Sequence, residues 1–412
     1  MNRRNFCLGA SSIMAMLRPL GAEGRVGLET RGRTTGYRLD GGRSDGHGLD
    51  VRRIDHDRVL RAASRALAQT PVTLTSTVSA RSPGGPHDYY SEGDYWWPDP
   101  ANPSGPYIRR DGHSNPANFV AHREALIRLS LAVPALAAAW RLTGDARFAD
   151  RAVLHLRAWF IAETTRMNPH LDFAQAITGL NTGRGIGIID TLQLVEVARA
   201  AHILRPASGS FSSADQSAVT QWFRDYLHWL TTSANGVSER EEKNNHGSCW
   251  LLQCLEFASL TGDEVVIAMV RERFKTVILP QQISPDGRQP LELARTKPYS
   301  YSLFNLDVLS TIAHVLSQHG ENLWQFETAD GGGLRRAVAF MAPYIEDKRR
   351  WPYPPDVEYF DQLPVRQVQL LFAGLALSEP GYLELWRRLD PDPNAGEIIR
   401  NFPIRQPVLW VS

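Results

Sequence analysis

The chain has 412 residues, 43% hydrophobic and 22% charged, the balance of a soluble globular protein long enough for a large core. Lys plus Arg number 45 against 44 Asp plus Glu, so bulk charge gives no case for nucleic acid or an anionic membrane as partner. The unusual component is aromatic: 11 Trp, several paired or set beside Pro and polar residues, which suits stacking on flat sugar faces as well as core packing.

The chain opens "MNRRNFCLGASSIMAML", with Arg3-Arg4 before Phe6 and a short apolar run to Leu17. This pattern predicts a twin-arginine export signal over 1–24 and a periplasmic or secreted protein. The run is too short to span a bilayer. Residues 25–50, rich in Gly and Arg, read as a poorly ordered segment. Residues 51–412 then read as a single domain. Of the three cysteines, Cys7 lies in the signal; Cys249 and Cys254 sit on different sides of a helical pattern and read as buried small hydrophobes.

Segment 83–118 is irregular, and its part "YYSEGDYWWPDPANPSGPYIRRDGHSNP" is too rich in Pro for a regular helix or central strand. It predicts a lid loop at about 85–116, with Trp96 and Trp97 against a sugar and Arg109 and Arg110 on its carboxylates. From 119 onward the apolar period is helical: 119–142, a second pattern through 160, then 186–205, 214–232, 246–260, 263–278, 303–319, 333–346 and 364–377. Thr143-Gly144-Asp145 recurs as Thr261-Gly262-Asp263, Gly ending one helix and Asp capping the next. Sequential antiparallel pairs without a fixed repeat length predict an all-α fold, an incomplete α/α toroid of helical hairpins. In such a ring the connectors 83–118, 162–185, 236–246, 280–302 and 348–362 build a central cleft, and function is expected there.

Three further connectors carry chemistry. "GLNTGRGIGIID" (179–190) sets Asn181 and Arg184 before a helix, a position that favours anions; with no strand ahead of it, it makes a weak nucleotide fingerprint. "KNNHGSCW" (243–250) crowds two amides and a histidine at a helix start, where a cap needs one Asn. Asn244 suits that cap, leaving Asn245 and His246, with Trp250 following. "SPDGRQPLELARTKPYSYSLFNLDVL" (284–309) offers Glu292, Arg295, Tyr299 and Tyr301.

Amides, His, Arg and Tyr in two connectors of one ring match β-elimination on a uronic acid polymer. That reaction removes the C5 proton, alpha to a carboxylate, and expels the O4 glycosidic oxygen. The carboxylate must first be neutralised, which preorganised donors achieve without metal or cofactor. A Tyr base, with an ordinary pKa near 10, needs nearby positive charge to favour its phenolate, and Arg295 is a candidate source. A glycoside hydrolase would instead need two flanking carboxylates, from Asp94, Asp99, Asp172, Asp190 and Glu292. A carbohydrate-binding protein would explain the Trp content but not the Asn-His and Arg–Tyr arrangement.

The pairing of "NNHGSCW" with "PDGRQPLELARTKPYSYSLFNL" resembles the alginate-lyase superfamily of bacterial polysaccharide lyases over roughly residues 85–375. It resembles family five, and family thirty-eight more closely in "DYWWPDPANPSGPYIRRDG". The resemblance implies an α/α toroid, neutralising residues at Asn245 and His246, an active-site Arg at Arg295 and a catalytic Tyr at Tyr301, with Tyr299 as competitor. Trp96, Trp97, Arg109, Arg110, Asn181, Arg184, Trp250 and Glu292 are the further expected cleft residues. The expected partner is an anionic polysaccharide, mannuronan-type alginate or glucuronan.

Overall fold

The computed structural model describes residues 49–318 and 320–411, so the predicted export signal and nearly all of 25–50 lie outside the described residues. The chain enters through α1 (Val51–Leu67), whose first turn is capped by Asp50 accepting from Arg53 N. This helix escaped the sequence reading, which began at 119. The lid region follows with three short strands: β1 (Tyr90–Glu92), β2 (Trp96–Trp97) and β3 (Ile108–Arg109). β2 and β3 pair antiparallel, with Trp96 opposite Arg109, and β1 pairs parallel with β4 (Phe173–Ala176).

Between them stand α2 (Ala121–Thr143) and α3 (Ala146–Phe160), joined by the first Thr-Gly-Asp turn. Gly144 takes φ +71°, which an L side chain rarely adopts, and the Asp145 carboxylate accepts from Arg147 N. The second copy does the same between α7 (Asn245–Thr261) and α8 (Glu264–Arg273): Gly262 takes φ +73° and Asp263 accepts from Val266 N. The helix expected over 186–205 is instead a 3-10 run, Gly185–Gln193, followed by α4 (Leu194–Ile203). Gly187 lies so close to β4 that a Cβ would approach Ala174 to 2.5 Å, and the tighter coil follows that contact.

The remaining helices are α5 (Ser213–Thr232), α6 (Ala234–Arg240), α9 (Leu279–Gln282, continuing α8 through a π turn at Phe274–Ile278), α10 (Pro290–Leu293), α11 (Pro298–Ser317), α12 (Leu334–Glu346), α13 (Val368–Leu377), α14 (Pro380–Arg388) and α15 (Gly396–Asn401). α11 starts five residues earlier than its apolar period suggested, which places Tyr299 and Tyr301 on its first turn.

Helices α2, α4, α7, α11 and α13 pack in succession as an inner layer, with α3, α5, α8, α12 and α14 outside them. This is the expected toroid of hairpins. Inner helices are buried on nearly all sides, so α7 and α13 read as continuous apolar runs rather than amphipathic stripes. The ring is sealed by residues 404–411. Glu196 of α4, fully buried, accepts from Arg405 N, Gln406 N and Trp410 Nε1, while Arg141 of α2 donates to Val408 O at 2.6 Å.

Candidate active site

A cavity of about 270 Å³ opens where the lid, residues 175–193, the first turn of α7, the α10–α11 turn and α15 meet. Its lining joins Asn245, His246, Arg295 and Tyr301, which sequence reading drew from two connectors fifty residues apart.

The start of α7 explains "KNNHG". Asn244 caps the helix, its side chain accepting from His246 N at 3.1 Å. Gly247 packs beneath the preceding loop, where a Cβ would come within 2.2 Å of Glu242 O. Asn245 is held by Glu292 of α10, which accepts from its backbone N at 2.8 Å and its Nδ2 at 2.7 Å. His246 Nδ1 lies 2.8 Å from Glu239 Oε1 at the end of α6. Burial disfavours the imidazolium, but Glu239, with Glu242 behind it, outweighs burial and the opposing Arg295, and the His246 pKa is raised.

Arg295 sits in the turn before α11, its N bonded to Glu292 O. Its Nη2 is 3.1 Å from Tyr301 Oη, and the guanidinium lies 4.2 Å from the Tyr301 ring centroid. The same guanidinium binds Asp111 of the lid at 2.9 Å, and Thr296 Oγ1 donates to Asp111 as well. Asp111 is thereby held well below the usual carboxylate range, burial opposing and Arg295 prevailing. Tyr95, one residue before β2, places its hydroxyl 2.9 Å from Tyr301 Oη. Arg295 and the Tyr95 bond pull the Tyr301 pKa down as expected, but burial outweighs both and the phenol is raised above its ordinary value. Without substrate, Tyr301 is therefore neutral at neutral pH.

The lid delivers half of what was expected. Trp96 and Arg109 line the cavity, whereas Trp97 and Arg110 do not. Trp97 donates to His113 O, with Arg110 5.2 Å from its ring centroid. Arg184 lines the cavity, stacked 5.8 Å from Trp96 and donating to Gln175. Asn181 is exposed and outside the lining; its backbone pairs with Ile177 in the turn that aims Arg184.

Three expected cleft residues are displaced into the structure behind it. Trp250 is 1% exposed and donates to Leu230 O: three positions after Gly247, it points into the α5–α7 interface. Tyr299 is buried and donates to Tyr344 O, while the Asp356 carboxylate accepts from the N–H groups of Tyr299 and Ser300 and caps α11. Two positions along a helix turn a side chain about 200°, so Tyr301 faces the cavity and Tyr299 the core. Glu292 touches Asn245 rather than the open space.

Of the carboxylates expected of a hydrolase, Asp94 and Asp190 do line the cavity, but each is engaged by neighbouring side chains. Asp94 is held at 2.7 Å by both Arg123 and Arg400, and Asp190 accepts from Tyr89 and Ser91. Asp99 and Asp172 lie outside the lining. Sequence reading also missed Tyr95, Lys297, Glu397, Arg400 and Asn401 on the cavity wall. Tyr95 and Lys297 stood inside connectors already singled out. Nothing local marked α15, whose place follows from the sealing of the ring by the residues after it.

The Alginate lyase family model matches residues 73–351. The crystal structure of an alginate lyase from Bacteroides ovatus is similar, with 32% identity and a TM-score of 0.75, covering 88% of this chain and 94% of that one. Alginate lyase A1-III from Sphingomonas species A1 shares the fold at 14% identity and a TM-score of 0.52, covering 86% and 94%. A variant of A1-III complexed with a tetrasaccharide matches at 15% and 0.54 over 86% and 94%. No curated protein sequence matched. With a helical toroid whose cleft joins these connectors, and a family match over most of its length, the chain belongs to the alginate lyase family of polysaccharide lyases.

Proposed function

We propose that the chain cleaves a 1,4-linked uronic acid polymer, mannuronan-type alginate or glucuronan, by syn β-elimination without a metal ion. The observation that carries this is the Tyr301 hydroxyl 3.1 Å from Arg295 in a cavity that Asn245 and His246 also line. Asn245, imidazolium His246 and Arg295 neutralise the C5 carboxylate, which lets the C5 proton leave. Arg295 becomes available to that carboxylate as it gives up Asp111. With the substrate's charge drawn onto the three donors, the Tyr301 phenol first releases its own proton to solvent, its phenolate stabilised by Arg295 and the Tyr95 hydroxyl, and that phenolate then takes the C5 proton. The phenol then returns the proton to the O4 leaving oxygen, yielding a 4,5-unsaturated uronate end.

One residue serves as base and acid only where the C5 proton and O4 lie on one ring face. That holds for β-D-mannuronate and β-D-glucuronate and fails for guluronate. Trp96 offers a ring face to a sugar, and Arg109 and Arg184 beside it suit neighbouring carboxylates. The tetrasaccharide bound by the A1-III variant supports a chain-shaped ligand. Incubation with polymannuronate, polyguluronate and glucuronan, followed by ultraviolet absorbance of the unsaturated product, tests the reading. Product is expected from the first or third polymer. Reducing ends without unsaturation, or turnover of polyguluronate alone, refutes it.

A further inference from the structure

We infer that Tyr359, on the connector before α13, is a stacking platform for a sugar unit of the polymer that extends beyond the catalytic cavity. The inference rests on the lyase reading above and adds to it a binding residue that the cavity lining does not include.

Among the described Phe, Tyr and Trp residues, Tyr359 alone stands exposed, at 42%. Its backbone is left-handed, with φ +62° and ψ +12°. A bulky side chain rarely adopts that conformation, which Gly or Asn takes readily. Two other non-glycine residues share a positive φ among those described. Gln175 lines the cleft and accepts from Arg184, and Ser378 ends α13. Strained residues of this kind gather at ligand contacts. An exposed aromatic on a strained backbone adds little to the core of the free chain, so its value lies in what it meets from solvent.

The ring is held ready. Lys297 Nζ lies 5.2 Å from its centroid and 5.6 Å from that of Tyr95. The Lys297 side chain is buried and pairs with Glu358 at 3.2 Å and Glu397 at 3.6 Å. Val357 N donates to Thr296 O at 3.1 Å, which ties the Tyr359 loop to the turn that carries Arg295 and Lys297. A ring fixed in advance loses little freedom when a ligand arrives.

Its place fits a polymer leaving the cleft. Lys297, Glu397 and Arg400 line the cavity, and Tyr359 stands outside it against Lys297. Tyr95, on the same ammonium, places its hydroxyl 2.9 Å from Tyr301 Oη. Contacts therefore run outward from the base through Tyr95 and Lys297 to the exposed ring. Because two carboxylates already engage Lys297, this position does not read a substrate carboxylate. It offers a flat face to the C–H groups of a pyranose. Trp96, beside Arg184, offers a similar face on a different stretch of the wall.

Length-defined oligomannuronates and oligoglucuronates test the platform, with KM and kcat read from product absorbance on the trisaccharide and the hexasaccharide. Tyr359→Asn removes the ring and suits the left-handed backbone, so a melting scan should show a folded chain. Its KM relative to the parent should be about threefold or more higher on the hexasaccharide than on the trisaccharide, with the loss in KM rather than kcat. Tyr359→Phe, which keeps the ring, should recover most of that affinity. An unchanged KM on the hexasaccharide, an equal rise at both lengths, or a loss in Tyr359→Phe as large as in Tyr359→Asn overturns the platform. A fall in kcat alone also overturns it, since the ring would then act through Lys297 and Tyr95 on Tyr301. No product from the parent on either series defeats the lyase reading and the platform with it; parental turnover that Tyr359→Asn matches at both lengths defeats the platform alone.

Discussion

Replacing Glu239 by Gln separates the charge of His246 from its position. Glu239 is fully buried, its Oε1 lies 2.8 Å from His246 Nδ1, and its Oε2 has no partner among the described residues. The charged groups that bear on the ring are Glu239 and Glu242, which favour the imidazolium, and Arg295, which opposes it. A hydrogen bond to a charged group contributes about 1.5–3 kcal/mol, and one pKa unit is about 1.4 kcal/mol. Gln keeps the volume and a hydrogen bond but not the charge, so the His246 pKa should fall. The imidazolium is the protonated form, so the deficit grows as pH rises and disappears on the acid side. The measure is the ratio of kcat/KM, variant to parent, from product absorbance across pH; the Tyr301 titration is common to both and divides out. The ratio should drop about tenfold or more toward alkaline pH and approach one in acid. A ratio that is flat with pH would mean that Glu239 only packs, and that charged His246 has no part in the reaction.

Tyr301→Phe should abolish product formation with the melting temperature nearly unchanged. Tyr299→Phe should retain activity and lose about 1 kcal/mol in denaturant titration, the worth of its bond to Tyr344 O; the reverse pattern would exchange their roles. Trp96→Ala should raise KM with little effect on stability, since Trp96 lines the cavity. Trp250→Ala should cost about 3–5 kcal/mol, because a fully packed indole leaves a hole in the core. Arg400→Met leaves Asp94 with Arg123 as its remaining ion-pair partner, and should destabilise by about 3 kcal/mol while lowering kcat/KM. An unchanged unfolding midpoint would show that the buried pair is dispensable.

The hairpins were legible because Thr-Gly-Asp writes its turn locally: Gly supplies a positive φ and Asp a cap within three residues. Asn245 and His246 were legible because polar residues crowd a helix start where a cap needs fewer, and Arg295 and Tyr301 through the family resemblance of their connector. Which side of a helix faces the cavity was less so. Trp250 and Tyr299 share their stretches with true lining residues, and α7 and α11 are buried all round, so no apolar stripe tells inside from cleft. The partners behind the site escaped for a different reason. Glu239 and Tyr95 act through contacts of 2.8 and 2.9 Å fixed by the folding of distant segments, and Arg400 reaches its position through a ring closed some 200 residues away at Glu196.

That closure bears on the order in which the protein becomes an enzyme. Glu397, Arg400 and Asn401 stand in the cleft wall, and the tail beyond them is what Glu196 grips. During synthesis Tyr301 and Arg295 leave the ribosome about a hundred residues ahead of this wall. Until residues 396–411 have emerged, the nascent ring has neither its seam nor one side of its cleft. Competence to cut a polymer thus arrives late in translation, as a property of the closed ring rather than of the segment that bears Tyr301.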